Sequence, residues 1–195
     1  MVAVQHERSG KARILNSARE LFTTHGFHQT SMAELALAAK VSVGQIYRLF
    51  KGKEEIIEAL ISADLHDRTA QMAALRLRLD TGQIDIEQTF EEAILQSLRD
   101  VDEALSFDIL AEALRNQPVG ETVSAMCQHL RRFLRDFACV ANPDLSGEAL
   151  DGAEEVILAC LFGLGHRSLS LPNLSDERTA KRAAQMIVAA LKAIR

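Results

Sequence analysis

Tryptophan is absent from the 195-residue chain, tyrosine occurs once, and aromatic residues together reach only 5%. β-Sandwiches rely on aromatic and β-branched pairs and on frequent turns. With three prolines in all, an all-β fold is disfavoured. Cysteine is equally scarce. Cys127, Cys139 and Cys160 lie in no CxxC and in no zinc-ligand spacing. They read as helix-face thiols, with thiol oxidation kept as an alternative means of regulation. The longest apolar stretch, 156–165, is short of the roughly 20 residues that cross a bilayer. The opening MVAVQHERSG has no apolar segment of the kind a secretory signal needs. A cytoplasmic protein with no membrane partner is expected. Catalytic signatures are missing as well: there is no GxSxG, HExxH or P-loop. Gly163-Leu164-Gly165-His166 has no strand before it, and isolated histidines such as His66 and His166 form no ligand set. The expectation is a protein that is not an enzyme, without cofactor or metal.

What the chain does contain is helical material. Hydrophobic residues make up 48% and charged residues 25%, enough for a core without disulfides. The net charge of −5 is unevenly spread. Residues 1–53 hold eight basic side chains against three acidic ones, and residues 54–195 hold the other 14 basic and 24 acidic ones. A cationic N-terminal part followed by an anionic body suits a protein whose first part approaches phosphates. The change of charge therefore divides the chain into a DNA-binding part, 1–53, and an acidic helical body, 54–195.

Apolar residues recur with the 3.6-residue period almost throughout, which predicts about nine helices and an all-α fold. Ile14, Leu15, Ala18, Leu21 and Phe22 stripe the first helix, and Gly26 is placed to end it. Ser31-x-x-Glu34 fits a capping box opening a short helix to about Ala39, and Ser42-x-x-Gln45 fits a second box opening another to about Phe50. Two short capped helices across a tight turn are a helix-turn-helix, with Leu35, Ala36 and Ala39 able to face Val41, Ile46 and Phe50. A long helix is predicted over 53–79, broken at Asp80-Thr81-Gly82, and would connect the two parts. Five more follow, punctuated by Pro118, Pro143 and Pro172, with Ser146 as the cap of a helix running to about Leu169 and a last helix ending near Ile194.

The stretch from Ala12 to Leu60 resembles the N-terminal domain of the TetR family of repressors. Ile14-Leu15, Leu21-Phe22, Gly26, Thr30-Ser31, Val41-Ser42-x-Gly44-x-Ile46-Tyr47-x-x-Phe50 and Lys53-Glu54 fall in that family's order. The remainder is similar to the family only in being all-helical, of fitting length, and ending in two helices suited to dimerisation. Two positions depart from the pattern: a turn position often occupied by glycine is Lys40, and the site before Phe50, often histidine, is Leu49. The resemblance implies a transcriptional regulator, a repressor released from its operator by a small molecule.

Within that frame the second short helix would lie in the major groove. Gln45 and Arg48 are candidates for base edges, Val43 for a thymine methyl, and Gly44 for close backbone approach. Thr30, Ser31, Lys40, Ser42, Tyr47 and Lys53 suit phosphates by hydroxyl and charge. Two-fold pairing of chains on a palindromic double-stranded operator would supply enough sequence to be specific. Val156, Cys160, Leu164, Ala184, Ile187, Val188 and Leu191 are the candidate dimer contacts, many of them small enough for close helix approach. The resemblance places a ligand pocket among the central helices. Phe90, Ile94, Phe107, Leu110, Leu114, Met126, Leu130, Phe133 and Phe137 are the candidate lining, with Arg115, Gln128 and His129 as polar contacts. A largely apolar effector is expected, a protein partner being the other alternative.

Overall fold

A computed structural model describes residues 2–100 and 102–194, with side chains over 10–99 and 102–194. The described residues form nine α-helices and no strand: α1 Val2–His25, α2 Met32–Ala39, α3 Val43–Leu49, α4 Lys53–Asp80, α5 Ile86–Asp100, α6 Glu103–Ala113, α7 Gln117–Ala141, α8 Gly147–Gly165 and α9 Asp176–Ala193. The all-α reading and the helix count agree with this. Pro118 sits in the first turn of α7, where its missing N–H would have no intrahelical partner in any case. Two ends differ from expectation. α8 stops at Gly165 and gives way to a 3₁₀ turn, Arg167–Ser170. Ser146 holds the N-cap position of α8 but makes no side-chain capping bond.

Packing divides the chain into two compact units: Met1–Leu65 with Asp102–Met126, and His66–Val101 with Cys127–Arg195. The boundary drawn at residue 53 follows a change of charge, whereas these units follow packing, so they are a different division of the chain. α4 and α7 each contribute to both.

The core of the first unit joins Ile14, Ala18, Phe22 and Phe27 to Leu35, Ala36 and Ala39 of α2, Ile46 and Phe50 of α3, and Ile56, Ile57, Leu60 and Ile61 of α4. Leu105 and Val119 enter the same core from far along the chain. Phe22 and Phe27 meet edge to face at 5.3 Å. Truncating a side chain buried like Ile46 costs about 2–5 kcal/mol.

α6 is tied to the end of α1 by acidic side chains. Asp108 accepts the Phe27 N–H at 2.8 Å, Asp102 accepts from the Thr23 hydroxyl, and Glu112 Oε2 stands 3.7 Å from His28 Nε2. At the same corner Gly26 adopts a φ of +85°, which glycine tolerates without a Cβ penalty.

The second unit is built on α5, which packs against α8 and most extensively against α9. Ala180, Ala184, Val188 and Leu191 of α9 share its core with Phe90, Ala93, Ile94, Leu134, Phe137 and Ala138. Asn142 closes the far end, donating both amide hydrogens to Leu191 O at 2.9 Å and Ile194 O at 3.0 Å. Between α7 and α8, the buried Glu154 carboxylate accepts from Arg131 at 2.9 Å and Arg135 at 3.2 Å.

Candidate functional site

The turn between α2 and α3 sets the geometry. Ser31 caps α2: its hydroxyl accepts the Glu34 N–H at 3.2 Å, and the Glu34 carboxylate accepts the Ser31 N–H at 2.7 Å. Those bonds hold the Glu34 carboxyl below its ordinary value, the Ser31 N–H first and its hydroxyl second. α2 ends on Lys40 in the left-handed region, φ 54° and ψ 49°. The position read as one often held by glycine does carry a left-handed backbone, here on a residue with a Cβ. Ser42 then caps α3 by accepting the Gln45 N–H at 3.1 Å. The second capping box is only half made, because the Gln45 side chain does not return a bond to the cap. Its amide lies instead against Gly10 of α1.

The inner face of α3 is Ile46, sealed together with Phe50, while Ser42, Val43, Gly44, Tyr47 and Arg48 are exposed and Gln45 is half-buried. A Cβ built on Gly44 meets nothing within 4 Å, so that side of the helix is open to an external surface. Lys40 and Ser31 are also exposed. Leu49 is half-buried against the core.

Two candidates fall differently. Thr30 is 1% exposed and its hydroxyl donates to Gly26 O at 2.9 Å. It fastens the corner after α1 and is not available to a phosphate. Lys53 donates to Phe27 O at 2.6 Å and His28 O at 3.1 Å, with its ammonium 4.7 Å from the Phe27 ring centroid. Two of its three N–H donors thus hold the same corner, although the charge stays near the surface. Nothing in the pattern distinguished a lysine serving main-chain carbonyls from one awaiting phosphates. α1 was not expected beside α3 at all. Gly10 touches Gln45, and Lys11 Nζ lies 5.7 Å from the Phe50 ring centroid.

The other two candidate sets are each split. Of the pocket residues, Phe90, Ile94, Leu130, Phe133 and Phe137 belong to the second unit, and Phe107, Leu110, Leu114 and Met126 to the first. Phe90, Ile94 and Phe137 are fully buried core, with the Phe90 and Phe137 rings 6.1 Å apart. Phe107 and Leu114 are exposed, Leu114 at 90%. Arg115 and Gln128 are exposed too. His129 fits better: its Nε2 and the Oε1 of Gln96, a residue the sequence did not single out, are buried without a hydrogen-bond partner. Of the dimer candidates, Val156 at 62% and Cys160 are exposed, and Leu164 and Ile187 are half-buried. Ala184, Val188 and Leu191 are buried inside their own chain. The small-residue stripe of α9 does permit close approach, but the helix it meets is α5. Burial raises the Cys127 thiol, opposed by Arg131, which disfavours the reactive thiolate there.

Among the described residues no group of three potential metal ligands occurs, and no helix is long and apolar enough to cross a membrane.

Residues 14–60 match the model of a family described as bacterial regulatory proteins, tetR family. The HTH-type transcriptional regulator UidR of Escherichia coli strain K12 is 33% identical over 112 residues, covering 56% of this chain and 55% of UidR. The chain therefore spans about half the length of the curated relatives it matches. Two solved structures show the same fold. Salmonella enterica GusR is 23% identical with a TM-score of 0.69 over 92% of this chain and 95% of its own. A transcriptional regulator from Saccharomonospora viridis, in complex with choline, is 15% identical with a TM-score of 0.74 over 92% and 95%.

Proposed function

We propose that the chain, whose residues 14–60 match the tetR family model and which is 33% identical to UidR over 112 residues, is a member of that family: a cytoplasmic transcriptional repressor that binds a palindromic operator as a homodimer and is released by a small, largely apolar effector. The observation that carries the reading is α3 itself. It is a seven-residue helix pinned by Ile46, with Val43, Gly44, Tyr47 and Arg48 turned outward. That is the geometry by which a short helix enters a major groove.

Arg48 is the candidate for guanine O6/N7 and Gln45 for adenine N6/N7. Ser31, Lys40, Ser42 and Tyr47 are the candidates for phosphates, with Lys53 adding charge. Arg48→Ala is expected to relax base choice and to cost about 1–3 kcal/mol of operator binding. The check is enrichment of sites from a random duplex pool followed by titration. Operator selectivity unchanged in Arg48→Ala removes Arg48 from the reading role.

The effector reading is supported by Gln96 and His129, whose buried atoms lack partners in a largely apolar core. A buried polar atom without a partner costs about 1–3 kcal/mol, and a ligand with hydrogen-bonding groups would offset it. To act as an inducer, that ligand must bind better to a form whose two reading helices are misplaced. Screening apolar compounds by thermal shift, then measuring operator affinity with each hit, tests this. A hit that leaves operator affinity unchanged counts against the mechanism.

A further inference from the structure

Glycine is a poor helix former, yet Gly10 stands inside α1 and is buried. Backbone conformation does not explain it, since the glycines with positive φ are Gly26, Gly82 and Gly147. Close approach does. A Cβ at position 10 would lie 2.9 Å from Nε2 of Gln45, nearer than real Cβ atoms come to any neighbour.

Two observations show that the contact belongs to a defined arrangement. In α2 the third residue after the cap, Glu34, reaches back and completes its capping box; in α3 the corresponding Gln45 does not. Its amide is directed to α1 instead. One residue along α1, the Lys11 ammonium stands over the ring of Phe50, the residue that caps the other end of α3. This turn of α1 thus meets α3 at Gln45 and at the residue that caps its far end.

We infer that Gly10 is a positioning residue for base reading: by leaving room for the Gln45 amide, it sets how that amide is presented and so which base pair α3 accepts there. A carboxamide discriminates bases through two hydrogen bonds from one planar group, and this tolerates little displacement. A methyl group at position 10 would push the amide off α1. Because the atom displaced is the free end of a flexible side chain, the helices need not move. The inference rests on the reading of α3 as the DNA-contacting helix.

The test enriches binding sites from a random double-stranded DNA pool with the full chain as wild type, Gly10→Ala, Gln45→Ala and the double variant. Gly10→Ala is expected to change preference at one base pair of each half-site by at least about fivefold. Gln45→Ala should lose preference at that same pair, and the double variant should match Gln45→Ala. The unfolding midpoint of Gly10→Ala should equal or exceed that of wild type, since alanine is the better helix former. An unchanged consensus in Gly10→Ala overturns the inference. So does a Gly10→Ala effect that persists without Gln45, or a lowered midpoint, which would assign the glycine to helix spacing. If wild type enriches no sequence, the reading of α3 itself fails and takes this inference with it.

Discussion

Two side chains of α2 and its C-cap carry effects that can be measured singly. Lys40 holds a left-handed backbone that disfavours any residue with a Cβ. Lys40→Gly is expected to stabilise the chain by a few tenths to about 1 kcal/mol, the greater freedom of glycine in the unfolded chain offsetting part of the relief. Urea unfolding measures it, and a less stable variant would show that the lysine side chain matters more than its backbone. Glu34 gives a pH signature. Its carboxyl sits below the ordinary value because the Ser31 N–H and hydroxyl bind its charged form. The stabilisation is complete above the ordinary glutamate value of about 4.3, and it is lost as pH falls through the lowered folded value. Wild type and Glu34→Gln should therefore differ most above about pH 5 and converge in acid, as followed by unfolding midpoints. Neither Thr30 nor Lys53 could have been placed correctly from sequence. A hydroxyl bonded to Gly26 O and an ammonium bonded to Phe27 O and His28 O are the same residue types that a phosphate would select.

At the scale of elements, the 3.6-residue period was sufficient for nine helices, because each has an apolar face and a polar one. It reports which residues share a face and is silent on what covers that face. α9 shows the limit: Ala184, Val188 and Leu191 read equally well as contacts to a second chain or to α5, and α5 is what they meet. The same silence hid the entry of Leu105 and Val119 into the first core. Asn142 stands in the loop-flanking run ANPDLSGE, where nothing in the pattern suggested that it reaches the end of α9. Asn142→Ala leaves the Leu191 and Ile194 carbonyls without these donors, and Leu191 O lies in buried surroundings. A loss of about 1–3 kcal/mol is expected, with amide exchange accelerated first in the last turn of α9. Uniform acceleration across the second unit would assign Asn142 a global role instead.

For the whole molecule, the exposed apolar side chains that remain on α8 and α9 are Val156 and Met186, accompanied by Cys160. They are the surface on which the proposed pairing would rest. Val156→Glu is expected to shift the chain from dimer to monomer in sedimentation at micromolar concentration and to weaken operator binding with it, because one helix-turn-helix reads too little sequence alone. A dimer unaffected by this charge would place the contact elsewhere. The charge distribution also changes meaning with scale. The first 53 residues are net basic, but the first compact unit also contains Glu54, Glu55, Glu58, Asp64, Asp102, Glu103, Asp108, Glu112 and Glu121 against only Arg115. The basic balance of residues 1–53 is thus offset by acidic side chains within the same packing unit.

Along α1, Gly10 and Lys11 meet Gln45 and Phe50, whereas its end and the corner after it hold Asp102 and Asp108, about 20 Å further along at 1.5 Å per residue. The two places respond differently to ionic strength. Phosphate binding weakens steeply as salt rises, through counterion release. The acidic anchors take a hydroxyl and a main-chain N–H rather than cations, so mobile ions have little to screen there. Raising salt should therefore strip the protein from nucleic acid while leaving the first unit folded.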